Sequence, residues 1–433
     1  MARSAPSGST SKASSPASPT STPTIRAATT AASEPPGGTA PPTDGPAAIP
    51  PDAGTVLTID LDAVRANWRR LRDLDPTRDV AGVLKADAYG LGAGRVGPAL
   101  WAEGCRRFFV AHLAEAVRLR AALPGADIAV LYGLPAGTEG DFLAHGVAPV
   151  LNRLDEIGRW RDLARRTGCR LPALIHIDTG LNRLGLEPAE VDRLAADPAA
   201  WLDGLDLRLW LTHLACPDII GHPLTAAQAA AFARALARLP AAPASISSSS
   251  ALFQPPAHRP EALARSGAAL YGVNPTPDAP NPMRPVVRLQ ARVLQVRSVD
   301  TPMTVGYGAT HQIRRRGRIA TVSVGYADGY MRSLSARGHV AAGPLLAPVI
   351  GRISMDLLTV DVTDWPETAP RPGDLVDLIG PHRGVDDVAA EAGTIGYEIL
   401  TALGPRHHRV YLGVGAPAPA TAPPRPLEAS WAF

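Results

Sequence analysis

Cysteine is scarce in this sequence, which has only Cys105, Cys169 and Cys216 among its 433 residues. An odd number of cysteines without metal-ligand spacing argues against a disulfide framework or a metal site and favours reduced thiols in a cytoplasmic protein. Long apolar runs are also lacking, so we expect no membrane partner. Basic and acidic side chains number 43 and 40, a net charge of +3 without a long block of one sign. We therefore expect no nucleic-acid partner.

The two ends of the chain lack the composition of a folded domain. Residues 1–52 consist almost wholly of Ser, Ala, Pro, Thr and Gly, and residues 416–433 are rich in proline. Because such segments bury little apolar surface, we predict a disordered tail at 1–52 and a loose tail at 416–433. The chain between them is long enough for one large and one medium domain, which we predict at 53–284 and 285–415.

The larger domain shows short apolar runs that alternate with amphipathic helical patterns, beginning with a helix at Leu61–Leu74. The predicted strands are Val80–Lys85, Arg107–Ala111, Ile128–Tyr132, Val147–Leu151, Ala173–Asp178, Leu207–Leu214, Ala244–Ser248 and Ala268–Tyr271. Eight strands that alternate with helices predict an α/β fold of the (β/α)8 TIM-barrel type, which fits better than an open doubly wound sheet.

Lys85 ends the first of these strands, and a glycine-rich stretch to Gly94 follows it. Burial at a strand end lowers the pKa of a lysine and leaves a neutral amine that can attack carbonyl compounds. Glycines after such a strand allow the backbone to approach a ligand closely. Taken alone, the stretch fits equally well a lysine that reaches solvent beside a flexible turn.

Polar residues gather at the ends of the later strands, where barrel enzymes carry their chemistry. These residues are Asp178 to Arg183, Thr212 and His213, Ser245 to Ser250, and Arg265 to Gly267. Hydroxyl groups and free backbone N–H groups after strands seven and eight commonly bind phosphate in barrels. The serine run and Gly267 therefore predict a phosphate site.

The smaller domain has long alternating apolar runs without helices between them, which predicts a mainly antiparallel β domain. The runs are Val286–Val299, Arg318–Tyr326, Ala347–Val362 and Gly373–Ile379, and one helix is predicted at Val385–Leu403. Three glycine- and tyrosine-containing clusters stand out, at Val305–Thr310, Gly325–Tyr330 and Gly351–Asp356. Each cluster alone is more typical of a structural β turn than of a functional site.

Taken together, the motifs of both domains resemble those of bacterial alanine racemases, in the same order and over Thr55–Leu412. They are Lys85–Gly90 (KADAYG), Asp178–Gly185 (DTGLNRLG), Thr212–Leu214, Tyr271–Gly272, Val305–Thr310, Gly325–Gly329 and Gly351–Asp356. The resemblance implies a pyridoxal 5'-phosphate enzyme, built as a barrel plus a C-terminal β domain and active as a head-to-tail homodimer. It also implies interconversion of L-alanine and D-alanine, which supplies D-alanine for peptidoglycan.

The resemblance assigns roles to four residues around the reacting carbon. Lys85 is similar to the lysine that forms the aldimine with the cofactor and acts as one of two catalytic bases. Tyr307 of the partner subunit resembles the second base, on the opposite side of the cofactor. His213 corresponds to a histidine that links this tyrosine to Arg265, and Arg265 matches an arginine that faces the pyridine nitrogen.

Further residues match positions that bind the cofactor phosphate and the substrate carboxylate. For the phosphate these are Tyr89, Ser249, Gly267, Ala268 and Tyr397. For the carboxylate they are Arg183 and the backbone N–H of Met355. The sequence departs from the family at His176, where many members have a lysine that positions the arginine equivalent to Arg183.

Three other functions compete with alanine racemisation at this stage. A racemase of broader specificity, acting on serine as well, differs by a cavity change too small to read from sequence. A non-catalytic pyridoxal phosphate carrier is disfavoured because it needs neither the β domain nor Tyr307. A barrel-fold amino acid decarboxylase is disfavoured by Arg265, since those enzymes typically have an acidic residue opposite the pyridine nitrogen.

Overall fold

The computed structural model describes residues 49–254, 261–413, 427, 430 and 431. Nearly all of the predicted N-terminal tail therefore lies outside the described residues. The strands are β1 (Thr55–Asp60), β2 (Asp79–Val83), β3 (Arg107–Val110), β4 (Asp127–Val130), β5 (Ala148–Leu151), β6 (Leu171–His176), β7 (Leu205–Leu211), β8 (Ala244–Ser245), β9 (Leu263–Ser266), β10 (Val287–Val299), β11 (Thr304–Val305), β12 (His311–Gln312), β13 (Gly317–Val322), β14 (His339–Ala342), β15 (Leu345–Ile350), β16 (Leu358–Asp361), β17 (Leu375–Ile379) and β18 (His408–Leu412). The helices are α1 (Leu61–Asp73), α2 (Lys85–Tyr89), α3 (Ala93–Glu103), α4 (Leu113–Ala122), α5 (Glu139–Ala144), α6 (Leu154–Thr167), α7 (Pro188–Ala196), α8 (Pro198–Leu202), α9 (Pro223–Leu236), α10 (Val385–Ala392) and α11 (Gly396–Ala402).

The predicted barrel is confirmed. Strands β2 to β9 form one parallel sheet in the order β8-β7-β6-β5-β4-β3-β2-β9. Hydrogen bonds from Ala262 N to Ala244 O and from Arg265 N to Ser247 O, each 2.9 Å, connect β9 back to the β8 segment. Because all eight strands run in one direction, their carboxyl ends meet at one mouth, where the candidate residues lie.

The eighth strand is not the one predicted. Ala268–Tyr271 forms a short 3-10 helix, whereas Leu263–Ser266 forms β9 and pairs in parallel with β2. The prediction was wrong because two polar residues, Arg265 and Ser266, mask the strand character of β9. Gly267 then ends the strand with φ −123° and ψ −93°, which is not a strand conformation.

The second sheet is mainly antiparallel, as predicted, in the order β13-β16-β15-β14-β17-β10-β1-β18 with an additional β13–β10 pairing. We assigned the chain from residue 53 to the barrel, but β1 pairs antiparallel with β10 and parallel with β18. The predicted strand at 347–362 is two strands, β15 and β16. The helix predicted at 385–403 is also divided, into α10 and α11, because Gly393 adopts φ +74° and ends α10.

The last described residues are buried, although we expected a loose tail there. Leu427, Ser430 and Trp431 are at most 4% exposed, and Trp431 packs edge-on against Phe109 with ring centroids 5.1 Å apart. We predicted a loose tail because the segment 416–433 is rich in proline on average, and this average gives little weight to Leu427 and Trp431. None of the helices within the described ranges is long and apolar enough to cross a membrane.

Asn67 of α1 holds the segment that leads from the barrel to the second sheet. Its amide donates to Leu270 O and Arg284 O, at 3.2 and 2.9 Å, and its oxygen accepts from Arg284 N at 2.7 Å. The side chain is 1% exposed, so water does not replace these partners. One side chain therefore satisfies three backbone groups.

We predict that Asn67→Ala lowers the free energy of unfolding by roughly 3 kcal/mol, because it leaves buried backbone groups without partners. Urea unfolding measures the change. The exposed Gln312→Ala on β12 is the control and should change stability by less than about 0.5 kcal/mol. Equal effects of the two substitutions would contradict the role given to Asn67.

Candidate active site

Lys85 lies two residues beyond the end of β2, at the barrel mouth. Gly82 and Leu84 face helix α3, because a Cβ added at Gly82 would touch Leu100 and the side chain of Leu84 approaches Gly97. Alternation along β2 therefore directs Val83 inward. Lys85 lies within electrostatic range of Arg183 and His213 at the mouth. Burial lowers the pKa of Lys85, the charge of Arg183 lowers it further, and Glu115 opposes both. The sequence also predicts a lowered pKa for Lys85, although β2 ends two residues earlier than expected.

The chain after Lys85 makes a left-handed turn. Ala86, Asp87, Ala88 and Tyr89 all have φ between 52° and 56°, a conformation that costs free energy for residues other than glycine. Ala86 N donates to Glu115 Oε1 at 2.7 Å, and Ala93 N donates to Asp87 Oδ1 at 2.7 Å. These bonds hold the turn and so place the ring of Tyr89.

Glu115 is a functional position that our sequence analysis missed. Its carboxylate accepts from the backbone N–H groups of Ala111 and His112 as well as from Ala86. It therefore joins the end of β3 to the turn after Lys85. Glu115 lies three residues after His112, in the capping box of α4. This spacing indicates where the helix starts, but it does not indicate the bond to Ala86.

Arg265 lies at the centre of the mouth and is 6% exposed. Its guanidinium donates to Thr212 O at 2.6 Å and to the hydroxyl of Ser245. Nη2 is also 3.5 Å from His213 Nδ1. Burial lowers the pKa of Arg265 to about 10, which leaves the side chain positively charged at neutral pH.

His213 stays neutral beside this charge. Burial lowers its pKa to about 3, and Arg265 and Arg183 add to the effect. Because a guanidinium has only donors, its contact requires His213 Nδ1 to be an acceptor. The ring proton of the neutral imidazole is then on Nε2, which can donate to a further group.

His176 is neutral for the same reasons, and its tautomer is also defined. Its Nδ1 is 2.8 Å from Asn152 Oδ1, while the Asn152 amide nitrogen donates to Leu131 O and Val150 O. The amide is thereby oriented, so Nδ1 of His176 must carry the proton. Burial, and then the charge of Arg265, lower the pKa of His176 to about 3.

Arg183 lies on an exposed loop that returns to β6. Asp178 Oδ1 accepts from the N–H groups of Gly180 and Leu181, each at 3.0 Å. Leu186 N donates to His176 O at 2.7 Å and closes the loop. The loop is fixed at both ends, while the side chain of Arg183 is exposed to an incoming molecule.

The residues predicted to bind phosphate come together beside Lys85. Ser249 Oγ accepts from Gly267 N at 3.0 Å and from Ala269 N at 3.2 Å. The ring of Tyr89 lies 5.9 Å from that of Tyr397. A Cβ at residue 267 would lie 2.4 Å from Tyr89 Oη, so only glycine fits there. Burial raises the pKa of both tyrosines, which keeps their hydroxyl groups protonated.

This set of groups has the chemistry of a phosphate cradle. It offers hydroxyl groups from one serine and two tyrosines, and it offers the backbone N–H of Ala268 at the start of the 3-10 helix. Phosphate oxygens accept such bonds, and a cradle without a side chain at residue 267 leaves room for them. The residues present therefore fit a phosphorylated cofactor whose carbonyl reaches Lys85.

Tyr307 and Met355 belong to a second group, on the other domain. The three clusters of the β domain meet there: Ala327 N donates to Met355 O at 3.0 Å, and a Cβ at Gly306 would lie 3.2 Å from Arg352 N. Tyr307 is 72% exposed and Met355 is 54% exposed. Within the described ranges, no hydrogen bond joins Tyr307 to the barrel mouth.

Comparison with known proteins decides the family. The alanine racemase N-terminal domain family matches residues 59–275, and the alanine racemase C-terminal domain family matches residues 286–411. Together they cover most of the chain. The chain belongs to the alanine racemase family.

Two relatives show how far this membership extends. The alanine racemase of Rhodospirillum rubrum is 50% identical over 364 residues, which are 84% of this chain and 97% of that protein. A catabolic alanine racemase of Mesorhizobium japonicum is 49% identical over 362 residues, 83% of this chain and 94% of that protein. These relatives thus match more than four fifths of the chain, and the two family matches include the Lys85 and Tyr307 segments.

A solved structure agrees with the sequence relatives. Alanine racemase from Bartonella henselae, crystallised with covalently bound pyridoxal phosphate, superposes with a TM-score of 0.80 at 40% identity. The match covers 83% of this chain and all of that one. Across the described part of this chain, no cluster of His, Cys, Asp or Glu side chains could hold a metal ion.

The lowered pKa of His176 predicts that the folded protein loses stability at acidic pH. In the folded protein the imidazole binds no proton until the pH approaches about 3, whereas an unfolded histidine binds one near pH 6.5. Stability should therefore fall as the pH drops below about 6.5, by up to roughly 1.4 kcal/mol per pH unit for this residue.

His176→Gln should reduce that slope, because glutamine takes up no proton. Urea unfolding at several pH values between neutral and mildly acidic measures it. The exposed His145→Gln is the matched control and should leave the slope closer to that of the wild type. A slope unaffected by His176→Gln would contradict the neutral buried imidazole.

Proposed function

We propose that this protein is a pyridoxal phosphate-dependent alanine racemase that interconverts L-alanine and D-alanine. The observation that carries the proposal is the meeting of Lys85 with the cradle of Tyr89, Ser249 and Gly267. A nucleophilic amine beside a phosphate site is what a phosphorylated carbonyl cofactor requires. Membership of the alanine racemase family supplies the reaction.

When bound, pyridoxal phosphate withdraws electrons from the α-carbon of an amino acid and so acidifies its α-hydrogen. We propose that Lys85 holds the cofactor through Nζ and that Ser249, Tyr89, Tyr397 and the backbone of Gly267 and Ala268 hold its phosphate. The lowered pKa of Lys85 supports this role, because a larger fraction of neutral amine is available at Nζ. When the substrate amine displaces it from the cofactor, the freed Nζ would accept or return the α-proton on one side of the substrate.

Racemisation also needs a proton donor and acceptor on the opposite side. We propose that Tyr307 of the partner subunit supplies it, so that the working form is a homodimer. Its exposure supports this assignment, since an exposed tyrosine among exposed apolar side chains is suited to an interface. His213 would donate its Nε2–H to the tyrosine oxygen and so help the tyrosine lose its proton.

Arg265 would keep the ring nitrogen of the cofactor from gaining a proton. Its guanidinium has no acceptor and keeps its own protons, so it would face the cofactor ring nitrogen as a donor only. Its contacts with Thr212 and Ser245 hold it in one orientation. By adding no proton there, Arg265 would keep the ring a weaker electron sink and so favour return of the proton to the α-carbon.

The substrate carboxylate would bind to Arg183 and to the backbone N–H of Met355 of the partner subunit. Both groups are exposed in one chain, and Arg183 carries the charge that a carboxylate prefers. The two loops come from different domains, so a dimer would bring them to one substrate. Small amino acids fit such a site, and serine differs from alanine by one hydroxyl.

We also propose that the enzyme is cytoplasmic and supplies D-alanine for peptidoglycan. The scarcity of cysteine, with three residues in the sequence, supports a reducing compartment. For the destination of D-alanine the support is family membership. A carrier function is disfavoured because the C-terminal racemase domain matches over residues 286–411, and a carrier needs no such domain.

The test exploits the fact that Lys12 and Lys85 are the only lysines in the sequence. Purified protein with added pyridoxal phosphate should convert L-alanine rapidly to D-alanine and L-serine much more slowly. Borohydride reduction should attach the cofactor to the peptide containing Lys85. Lys85→Ala should lose at least about a thousandfold in kcat, the scale of a missing catalytic base and nucleophile.

The control is Lys12→Ala, which should retain full activity and full labelling of Lys85. Labelling of Lys12 instead, or no D-alanine from protein that carries the cofactor on Lys85, would contradict the proposal. D-serine formed as fast as D-alanine would replace it with a racemase of broader specificity.

A further inference from the structure

Three described residues near the C-terminus are buried, and one of them packs against the barrel. Trp431 is fully buried, and its indole packs edge-on against Phe109 of β3. Ser430 and Leu427 are 2% and 4% exposed, and Ser430 donates from both its N–H and its hydroxyl to Leu427 O. We call Leu427, Ser430 and Trp431 the C-terminal plug.

Strand register shows which face of β3 the plug contacts. Phe108 is paired with Gly82, and a Cβ at Gly82 would touch both Phe108 and Leu100 of α3. Phe108 therefore faces the outer helices, and Phe109 faces the barrel interior. The plug thus contacts the interior of the barrel and not its outer surface.

The height of Phe109 in the barrel is that of the candidate active site. Phe109 is the penultimate residue of β3 and is paired with Val83, and its carbonyl accepts from Leu84 N at 2.8 Å. Lys85 is the next residue along the chain, and it lies within electrostatic range of Arg183 and His213. Trp431, which packs on Phe109, is therefore near the carboxyl end of β3, at the height of the mouth.

The plug can reach the mouth from where the second sheet ends. Strand β18 lies over the turn after Lys85, because Tyr411 Oη donates to Leu91 O at 3.0 Å and Arg409 donates to Gly90 O at 2.7 Å. Fourteen residue steps separate Gly413 from Leu427, and an extended chain covers up to about 3.4 Å per residue. That length, approaching about 48 Å, exceeds the width of a barrel.

The fit of Trp431 is incomplete in two respects. Its indole N–H is buried and makes no hydrogen bond with any of the described residues. Its backbone has φ +61°, which is unfavourable for a tryptophan. A permanent core residue rarely carries both costs, whereas a side chain that leaves when a ligand arrives tolerates them.

We propose that the C-terminal plug closes the barrel mouth in the cofactor-free protein and is displaced when an aromatic phosphate such as pyridoxal phosphate binds at Lys85. The inference rests on the proposed function, because it takes that cofactor site as given. Trp431 is the part that competes, since its flat ring packs on Phe109, which faces the barrel interior near the carboxyl end of β3. The plug delays loading of the apoprotein and leaves turnover of the loaded enzyme unchanged.

Hydrogen exchange on the full-length protein tests displacement directly. Without cofactor, the peptide that contains Ser430 should exchange at least about tenfold more slowly than an open peptide, because its amide is bonded and buried. With pyridoxal phosphate bound, that protection should disappear. An unprotected peptide in the apoprotein, or protection that persists in the cofactor-bound protein, overturns the proposal.

Cofactor binding to full-length variants provides the second measurement. Trp431→Ala should lower the apparent Kd for pyridoxal phosphate about tenfold, the effect expected if the plugged state holds about nine tenths of the apoprotein. Trp431→Phe should fall between. Trp201→Ala removes a tryptophan that stacks with Arg161 and Arg193 outside the barrel, and it should leave Kd unchanged.

The outcomes separate this inference from the proposed function. Cofactor binding at Lys85 with equal Kd in the wild type and Trp431→Ala overturns the plug alone. A wild type that binds no pyridoxal phosphate at Lys85 overturns the proposed function and the plug with it. A lower Kd in Trp431→Ala with unchanged kcat of the loaded enzyme supports both.

Discussion

The buried guanidinium of Arg265 sets the electrostatics of the whole barrel mouth. It is held by Thr212 O, just beyond β7, and by the hydroxyl of Ser245 on β8, and it stays charged although burial lowers its pKa. That charge helps to keep both His176 and His213 neutral. Burial is the larger cause of their neutrality, and their tautomers are set by their partners: His176 donates to Asn152, and His213 accepts from Arg265. A mouth rich in positive charge is also where an anionic cofactor and a carboxylate substrate bind best.

Backbone conformation fixes the rest of the site at some cost in strain. The left-handed turn at Ala86–Tyr89 is unfavourable, and Glu115 and Asp87 hold it through bonds to backbone N–H groups. The turn brings Tyr89 against Gly267, where a side chain would collide with the tyrosine hydroxyl. The strained backbone after Lys85 persists because the hydrogen bonds around it fix the conformation of the turn. The phosphate cradle therefore depends on a turn that local propensity alone would not form.

Much of this architecture could be predicted from the sequence, because buried parallel strands and amphipathic helices have distinct patterns. The pattern predicted the barrel, the lowered pKa of Lys85 and the meeting of the serine run with Gly267. It failed at β9, where Arg265 and Ser266 are polar because the site needs them, and at β1, whose partner β10 is more than 200 residues away. Glu115, Asn152 and the buried Trp431 were missed because their partners are distant in sequence. Only tertiary contacts show what those residues bind.

The central claim is that each active site combines Lys85 of one subunit with Tyr307 of the partner subunit. Two-tag purification of a heterodimer of Lys85→Ala and Tyr307→Phe subunits tests it most directly. We predict about half the activity of the wild-type dimer, because one of two sites keeps both residues. A heterodimer of wild-type and doubly substituted subunits should then be inactive. The reverse pattern, an inactive first heterodimer and a half-active second, would place both residues of a site in one chain and contradict the claim.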